Sequence, residues 1–492
     1  MKDLKQKALR GGFAKVCAQG TGFVVRIGSL MIMARLLDPR DFGLVGMVTA
    51  VVGVFNVLRD FGLSAAAVQR AVVTKDQVST LFWINLLVGG GLGLLSLAIA
   101  PLIALFYHEP RLVAVTAALA TGFLFNGAGV QHSAILERQM RFAMLSAIDI
   151  LSLLTSTIIG IAMAIHGFGY WSLVATATVT PLTYTLCVWL ATAWIPGMPR
   201  RGVGMRSMMR FGGTLTLNSL VMYITTNFDK VLLGRFLGSD AVGIYGRAYQ
   251  LVNIPTDNLN SATSGVAFAA LSRLKDDPAR FKSYFLKGYT LVLSLTVPIT
   301  VACALFGGEM IAIFLGPKWI SAIPIFRVLT ATTLAFSIIN PLGWLLMSLG
   351  LVGRGLRMAL VLAPVMIAGY LVGLPYGPKG VAFAYSTMMM LCVLPLIMWA
   401  VRDTVISVRD VVAVACRPLL SGCMAAGVGA GVHIFLKVDF PPLPRLVLGV
   451  TLVLAVYLWM LLFALGQKRF YLDAFQEFKR SSSVDTALVA SA

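Results

Sequence analysis

The side chains here that could do chemistry are polar groups set inside long apolar runs. Within roughly 12–35, Lys15, Gln19, Gly22, Arg26 and Ser29 follow helical spacing and share one face. Asn56, Arg59, Asp60 and Ser64 gather near the end of 42–66, and Asp149 lies in 142–166. Asn218, Thr225 and Asp229 form a stripe in 211–237, with Lys230 beside it. Gln250, Asn253, Asp257 and Asn260 recur along 243–271, with Arg247 one turn earlier and Pro255 as an expected kink. Arg327 falls in 320–349. A charge at mid-bilayer costs about 2.5–3.5 kcal/mol on insertion scales, so such groups face a partner or a water-filled cavity. Arg26 lies too deep to snorkel, and a guanidinium in an aqueous vestibule suits phosphate oxygens, which it meets bidentately. For Arg59 beside Asp60, and Asp229 beside Lys230, local charge compensation is the competing reading.

The elements that must position these groups are membrane helices. Apolar residues make up 58% of the chain and charged ones only 12%, too few for the surface of a soluble protein. Fourteen spans are expected, at roughly 12–35, 42–66, 79–106, 113–135, 142–166, 169–195, 211–237, 243–271, 284–308, 320–349, 356–376, 379–401, 416–437 and 443–466. The net charge of +20 could suggest nucleic acid, but the Lys and Arg residues sit in short loops without interleaved aromatics. Counted by side, roughly 25 basic residues stand against 8, which predicts both termini in the cytoplasm. The start is read as an anchor helix, since its apolar run has no small-residue cleavage site.

One stretch recurs. Arg35, Leu37, Gly43 and Gly46 align without a gap on Arg235, Leu237, Gly243 and Gly246. A repeat of this length in apolar sequence predicts two related halves facing each other. The expected organisation is a lobe at 1–200, a second lobe at 201–410, two further helices at 411–470 and a cytoplasmic tail at 471–492. Arg35 and Arg235 are expected to snorkel at the outer interface.

Other chemistries find no support. The six cysteines lie in or beside apolar spans without ligand spacing, so no metal site is expected. His108 and His132 lack a partner constellation, and no catalytic residue is assigned. A Walker-type loop is absent, and the glycine runs Gly89–Gly93 and Gly427–Gly431 read as helix contacts. The outer loops are too short to hold a catalytic domain.

The motif 34–45 (ARLLDPRDFGLV) and the motif 59–70 (RDFGLSAAAVQR) resemble the polysaccharide-transporter branch of the multidrug/oligosaccharidyl-lipid/polysaccharide exporter superfamily. The colanic-acid and xanthan export type is the nearest in character, and 314–319 (FLGPKW) and 167–172 (GFGYWS) add to the likeness. The resemblance implies an all-α fold in which two six-helix bundles form a V like that of multidrug (MATE) exporters, with two helices appended. It implies alternating access that carries an undecaprenyl-pyrophosphate-linked oligosaccharide across the bacterial inner membrane. On that footing Arg26, Arg59, Arg247 and Arg327 would meet pyrophosphate and acidic sugars, while Asn218, Gln250, Asn253 and Asn260 would bond sugar hydroxyls. Asp60, Asp149, Asp229 and Asp257 would couple transport to a proton or sodium gradient, with no other cofactor. Membrane lipid, a polymerase and export machinery are the expected partners, and nucleic acid is not. A peptidoglycan-precursor (lipid II) flippase is the nearest alternative. A multidrug exporter would favour twelve spans and acidic walls, and a membrane glycan polymerase or ligase would need a larger outer loop.

Overall fold

The computed structural model describes residues 2–60, 75–199, 206–436, 441–473 and 476, and contains no strand among them. Helices α1 (Lys2–Leu36) and α2 (Pro39–Asp60) are parted by a short break. Pro39 suits the first position of α2, where its missing N–H would have no partner anyway. Asp41 accepts the backbone N–H of Asp38 at 3.1 Å and steadies the turn. Next come α3 (Lys75–Tyr107), α4 (Arg111–Arg138), α5 (Phe142–Ile165) and α6 (Tyr170–Thr192). Helix α7 (Arg206–Arg273) is one run broken at Gly238, whose φ of 83° is open to glycine and strained for other residues. That break aligns with Asp38, so both repeats interrupt their helices at the same place.

The chain continues through α8 (Pro278–Phe314), α9 (Ala322–Ser348), α10 (Val352–Gly373), α11 (Gly377–Val401), α12 (Val408–Leu436) and α13 (Pro442–Trp459). Asp277 caps α8 by accepting the N–H of Arg280 at 3.1 Å. In the first group α1 packs on α5, α3 on α4, and α6 on both α4 and α5. In the second, α9 packs against α7, α8 and α11, while α10 lies between α7 and α11. Helices α12 and α13 lean on α8. Among the described residues ten stretches are long and apolar enough to span a membrane, one of them (Val352–Val401) holding both α10 and α11. This is a multi-pass membrane protein. Ten such stretches fall short of the fourteen expected spans, and neither α1 nor α7, which carry the polar stripes, is among them.

The seam between the two groups is α2 against α7, and the two copies of the repeat meet there. A β-carbon on Gly43 would stand 1.7 Å from the Ser239 carbonyl oxygen, and one on Gly243 1.9 Å from that of Pro39. The seam's neighbours are also tied. Arg35 Nη2 donates to the Ile313 carbonyl at 2.9 Å, and Lys318 pairs with Asp38 at 2.7 Å. Arg235 pairs with His108. Both arginines therefore bind protein groups, because the break in each repeat brings neighbouring helix ends within reach.

Trp319 closes this end. It is fully buried, donates Nε1–H to the Ala34 carbonyl at 2.8 Å and meets the Phe42 ring edge-on at 5.3 Å. Trp319→Ala is expected to cost about 3–5 kcal/mol through the void and the lost donor. Tyr376→Ala, at a side chain 79% exposed, should stay within about 0.5 kcal/mol. Thermal unfolding of the purified variants checks this, and equal melting points would refute the packing argument.

The expected glycine contacts are present in part. A β-carbon on Gly89 would lie 2.5 Å from the Phe123 carbonyl oxygen, and one on Gly429 2.6 Å from Val453, whereas Gly91, Gly427 and Gly431 face open space.

Candidate functional site

A cavity of about 1160 Å³ opens between α1, α4, α5, α6 and the Pro255 segment of α7. The polar face predicted for α1 supplies Gln19, Gly22 and Arg26, and α5 supplies Ser146, Asp149 and Ser152. The structure thus brings together Arg26 and Asp149, which the sequence could only suspect separately. Glu137 and Asn126 of α4, Tyr184 of α6 and Asn258 of α7 complete the polar wall. Among the described residues lining it, one cation stands with two carboxylates. Such a wall can hold one strongly anionic group at Arg26 and bond many hydroxyls elsewhere.

A second, separate cavity of about 210 Å³ lies between α7, α8 and α9. Asn253, Asp257 and Asn260 line it, as their shared helical face requires, together with Thr256, Thr296, Ser337 and Asn340. Helical geometry explains the division. Pro255 and Asn258 lie across the helix from Asn253, so they look into the larger cavity.

The remaining candidates line neither cavity. Arg247 stacks on the Phe42 ring, 4.4 Å from its centroid, and bonds Gln250, so both are spent within the seam. Arg59 donates to Asn56 at 3.4 Å. Arg327 lies along Gly307 and Gly308 of α8. Asn218 reaches neither cavity. Asp229 is fully buried, accepts the N–H of Lys230 at 2.7 Å and lies 3.7 Å from its ammonium. Lys230 also bonds Asn227 at 2.9 Å and sits over the Tyr249 ring. Local compensation, the competing reading for this pair, matches that geometry. The side chain of Asp60 and the motif at 61–70 lie outside the described residues.

The histidines do structural work. His132 stacks on Trp189 at 4.5 Å, bonds Thr192 at 2.7 Å and is packed against Phe82 and Trp194. Asn126, Glu137, Tyr184 and Asn258 are lining residues that sequence reasoning missed, and Glu137 falls just past the expected end of its span, beside Arg138.

These features define a helical membrane protein with polar cavities enclosed by two packed groups of helices. The chain belongs to the family described as polysaccharide biosynthesis protein, whose model matches residues 32–324. It is similar to the lipopolysaccharide biosynthesis protein WzxC of Escherichia coli strain K12, with 25% identity over 354 residues, covering 70% of this chain and 71% of that one. Teichuronic acid biosynthesis protein TuaB of Bacillus subtilis strain 168 is 30% identical over 308 residues, or 60% of this chain and 62% of that protein. The fold is that of the lipid II flippase MurJ in an inward closed conformation. The TM-score is 0.73 at 15% identity, over 95% of this chain and all of that one.

Proposed function

We propose that this protein moves a polyprenyl-pyrophosphate-linked oligosaccharide across the bacterial inner membrane by alternating access, supplying repeat units for polysaccharide export. The observation that carries this reading is the cavity at Arg26, set in apolar helices beside a seam built from the chain's own repeat. A glycan head cannot cross hydrocarbon unaided, whereas a prenyl tail stays in lipid. A polar chamber within a membrane bundle meets both needs. Names of relatives support it, since they refer to lipopolysaccharide and teichuronic acid biosynthesis, and MurJ is named a lipid II flippase.

In this reading Arg26 holds the pyrophosphate, Asn126, Asn258 and Tyr184 bond sugar hydroxyls, and undecaprenyl is the carrier. Both termini lie in the cytoplasm, following the excess of basic residues on that side. The α2–α7 seam then closes the outer end. Movement draws on a proton or sodium gradient, for which Asp149 and Asp257 face cavities.

The test is delivery of lipid-linked oligosaccharide to the outer leaflet in cells lacking this protein. Its loss is expected to trap the lipid-linked glycan at the inner face, and the intact chain to restore delivery. If the glycan still reaches the outer face but stays unpolymerised, the transport reading fails and an enzymatic role takes its place.

A further inference from the structure

The arginines of the two repeats cross to the opposite group of helices in the same way and meet different chemistry there. Arg35 reaches the end of α8, where its Nη2 donates to the Ile313 carbonyl at 2.9 Å beside Gly316, whose φ is 95°. Arg235 reaches the end of α3, where its Nη1 donates to Nδ1 of His108, whose φ is 55°. A backbone carbonyl accepts at any pH. An imidazole facing arginine accepts only while neutral, because arginine brings donors alone and a protonated ring has no lone pair left. His108 directly follows α3 in the left-handed conformation that glycine or asparagine usually takes past a helix end. A titratable ring thus stands where the other repeat uses backbone.

The ring is open to protons from solution, since His108 is exposed, and α7 is held close against it. Arg235 also lies over the Phe106 ring, 5.5 Å from its centroid. A β-carbon on Gly234 would stand 2.7 Å from the Tyr107 ring and 3.1 Å from Met47 of α2, so the contact sits at the edge of the seam. The other charges beside His108 are committed to one another. Glu109 accepts from Arg111 at 2.8 and 3.1 Å and lies 3.6 Å from Arg40. The hydrogen bonds from Arg111 hold the Glu109 carboxyl below its ordinary range, so it keeps its charge where histidine titrates.

We propose that His108 and Arg235 are a pH-sensitive latch across the seam, closed while His108 is neutral and released when it takes a proton. The proton removes the acceptor and sets two cations side by side. The open form therefore binds that proton better than the closed form, and by linkage acid favours opening. The latch rests on the transport reading for the existence of an open form. It deepens that reading by making one of the two closures answer to pH on the side that it closes.

The experiment follows labelling of Met47→Cys by a membrane-impermeant maleimide in the full chain without its native cysteines. Rates are taken relative to Tyr376→Cys, an exposed position that carries the ordinary pH dependence of thiol reactivity. Going from about pH 8 to about pH 5.5 is expected to raise the relative rate roughly threefold to tenfold, as loss of one exposed charge-assisted hydrogen bond allows. His108→Asn keeps an acceptor on a residue suited to the left-handed backbone, so the rate should stay low at both pH values. Arg235→Gln should also remove the pH response, and it serves where His108→Asn folds poorly. His166→Asn, at an exposed histidine between α5 and α6, should keep the response. A response that survives both His108→Asn and Arg235→Gln, or that is lost in His166→Asn, places the titrating group elsewhere and overturns the latch. A relative rate that ignores pH, while Gly43→Ala raises it, overturns the latch and leaves the moving seam standing. No labelling at any pH, with or without Gly43→Ala, overturns the latch and the moving seam together.

Discussion

Gly43→Ala is expected to hold open the end of the protein that the α2–α7 seam closes. Its new β-carbon would stand 1.7 Å from the Ser239 carbonyl oxygen, against an ordinary contact of about 3.5 Å. The obstacle is backbone, so no side-chain rotation relieves it, and the helices must part by about 1.5–2 Å. Overpacking of this kind costs about 1–3 kcal/mol. Charged to the closed state alone, that shifts its population by roughly 5–150-fold. Transport that alternates between two closures should fall at least tenfold, with the protein still folded. Met47→Cys, at a buried seam position, supplies the readout through a membrane-impermeant maleimide.

The glycines grade the effect. At Gly46 a β-carbon meets only Val242 Cγ1, at 3.0 Å, so Gly46→Ala should be mild. At Gly246 nothing lies within 4 Å, and alanine there should be silent or slightly stabilising. If Gly43→Ala transports normally and leaves Met47→Cys protected, the seam is not a moving closure.

This seam also shows what sequence can carry. The repeat was legible because a backbone-to-backbone crossing tolerates only glycine at 43 and 243, so the fold left its mark on residue type. Arg26 and Asp149 were legible because deep charges need a chamber. Periodicity could group Asn253, Asp257 and Asn260 on one face, but it could not say which helices cover that face. The answer, α8 and α9, separates them from Arg26 and gives them a pocket of their own. Arg247 misled for the same reason: its polarity is visible in sequence, while the Phe42 ring it stacks on comes from a helix about 200 residues earlier. Glu137 was hidden by an uncertain span end. The polar faces on α1 and α7 keep those helices out of the stretches apolar enough to span a membrane, although the sequence placed spans on both.

Arg26→Ala is expected to abolish transport while leaving membrane levels unchanged. If the guanidinium makes two charge-assisted hydrogen bonds to phosphate, each is worth about 1.5–3 kcal/mol, and losing them weakens capture by roughly a hundredfold or more. Arg26→Lys keeps the charge but loses the planar fork, so an intermediate loss of about tenfold is expected. The cavity makes the alanine variant worse than a missing contact. Glu137 and Asp149 remain on the wall and would face an anionic substrate with no cation among the described lining residues. Removing one of these carboxylates in the Arg26→Ala background should therefore recover part of the loss, a coupling that a double-mutant cycle measures directly. Arg247→Ala makes the contrasting case. Its guanidinium belongs to the seam, so melting temperature should fall while substrate affinity holds. A substrate-affinity loss in Arg247→Ala equal to that in Arg26→Ala would mean that the anionic group sits at the seam, not in the larger cavity.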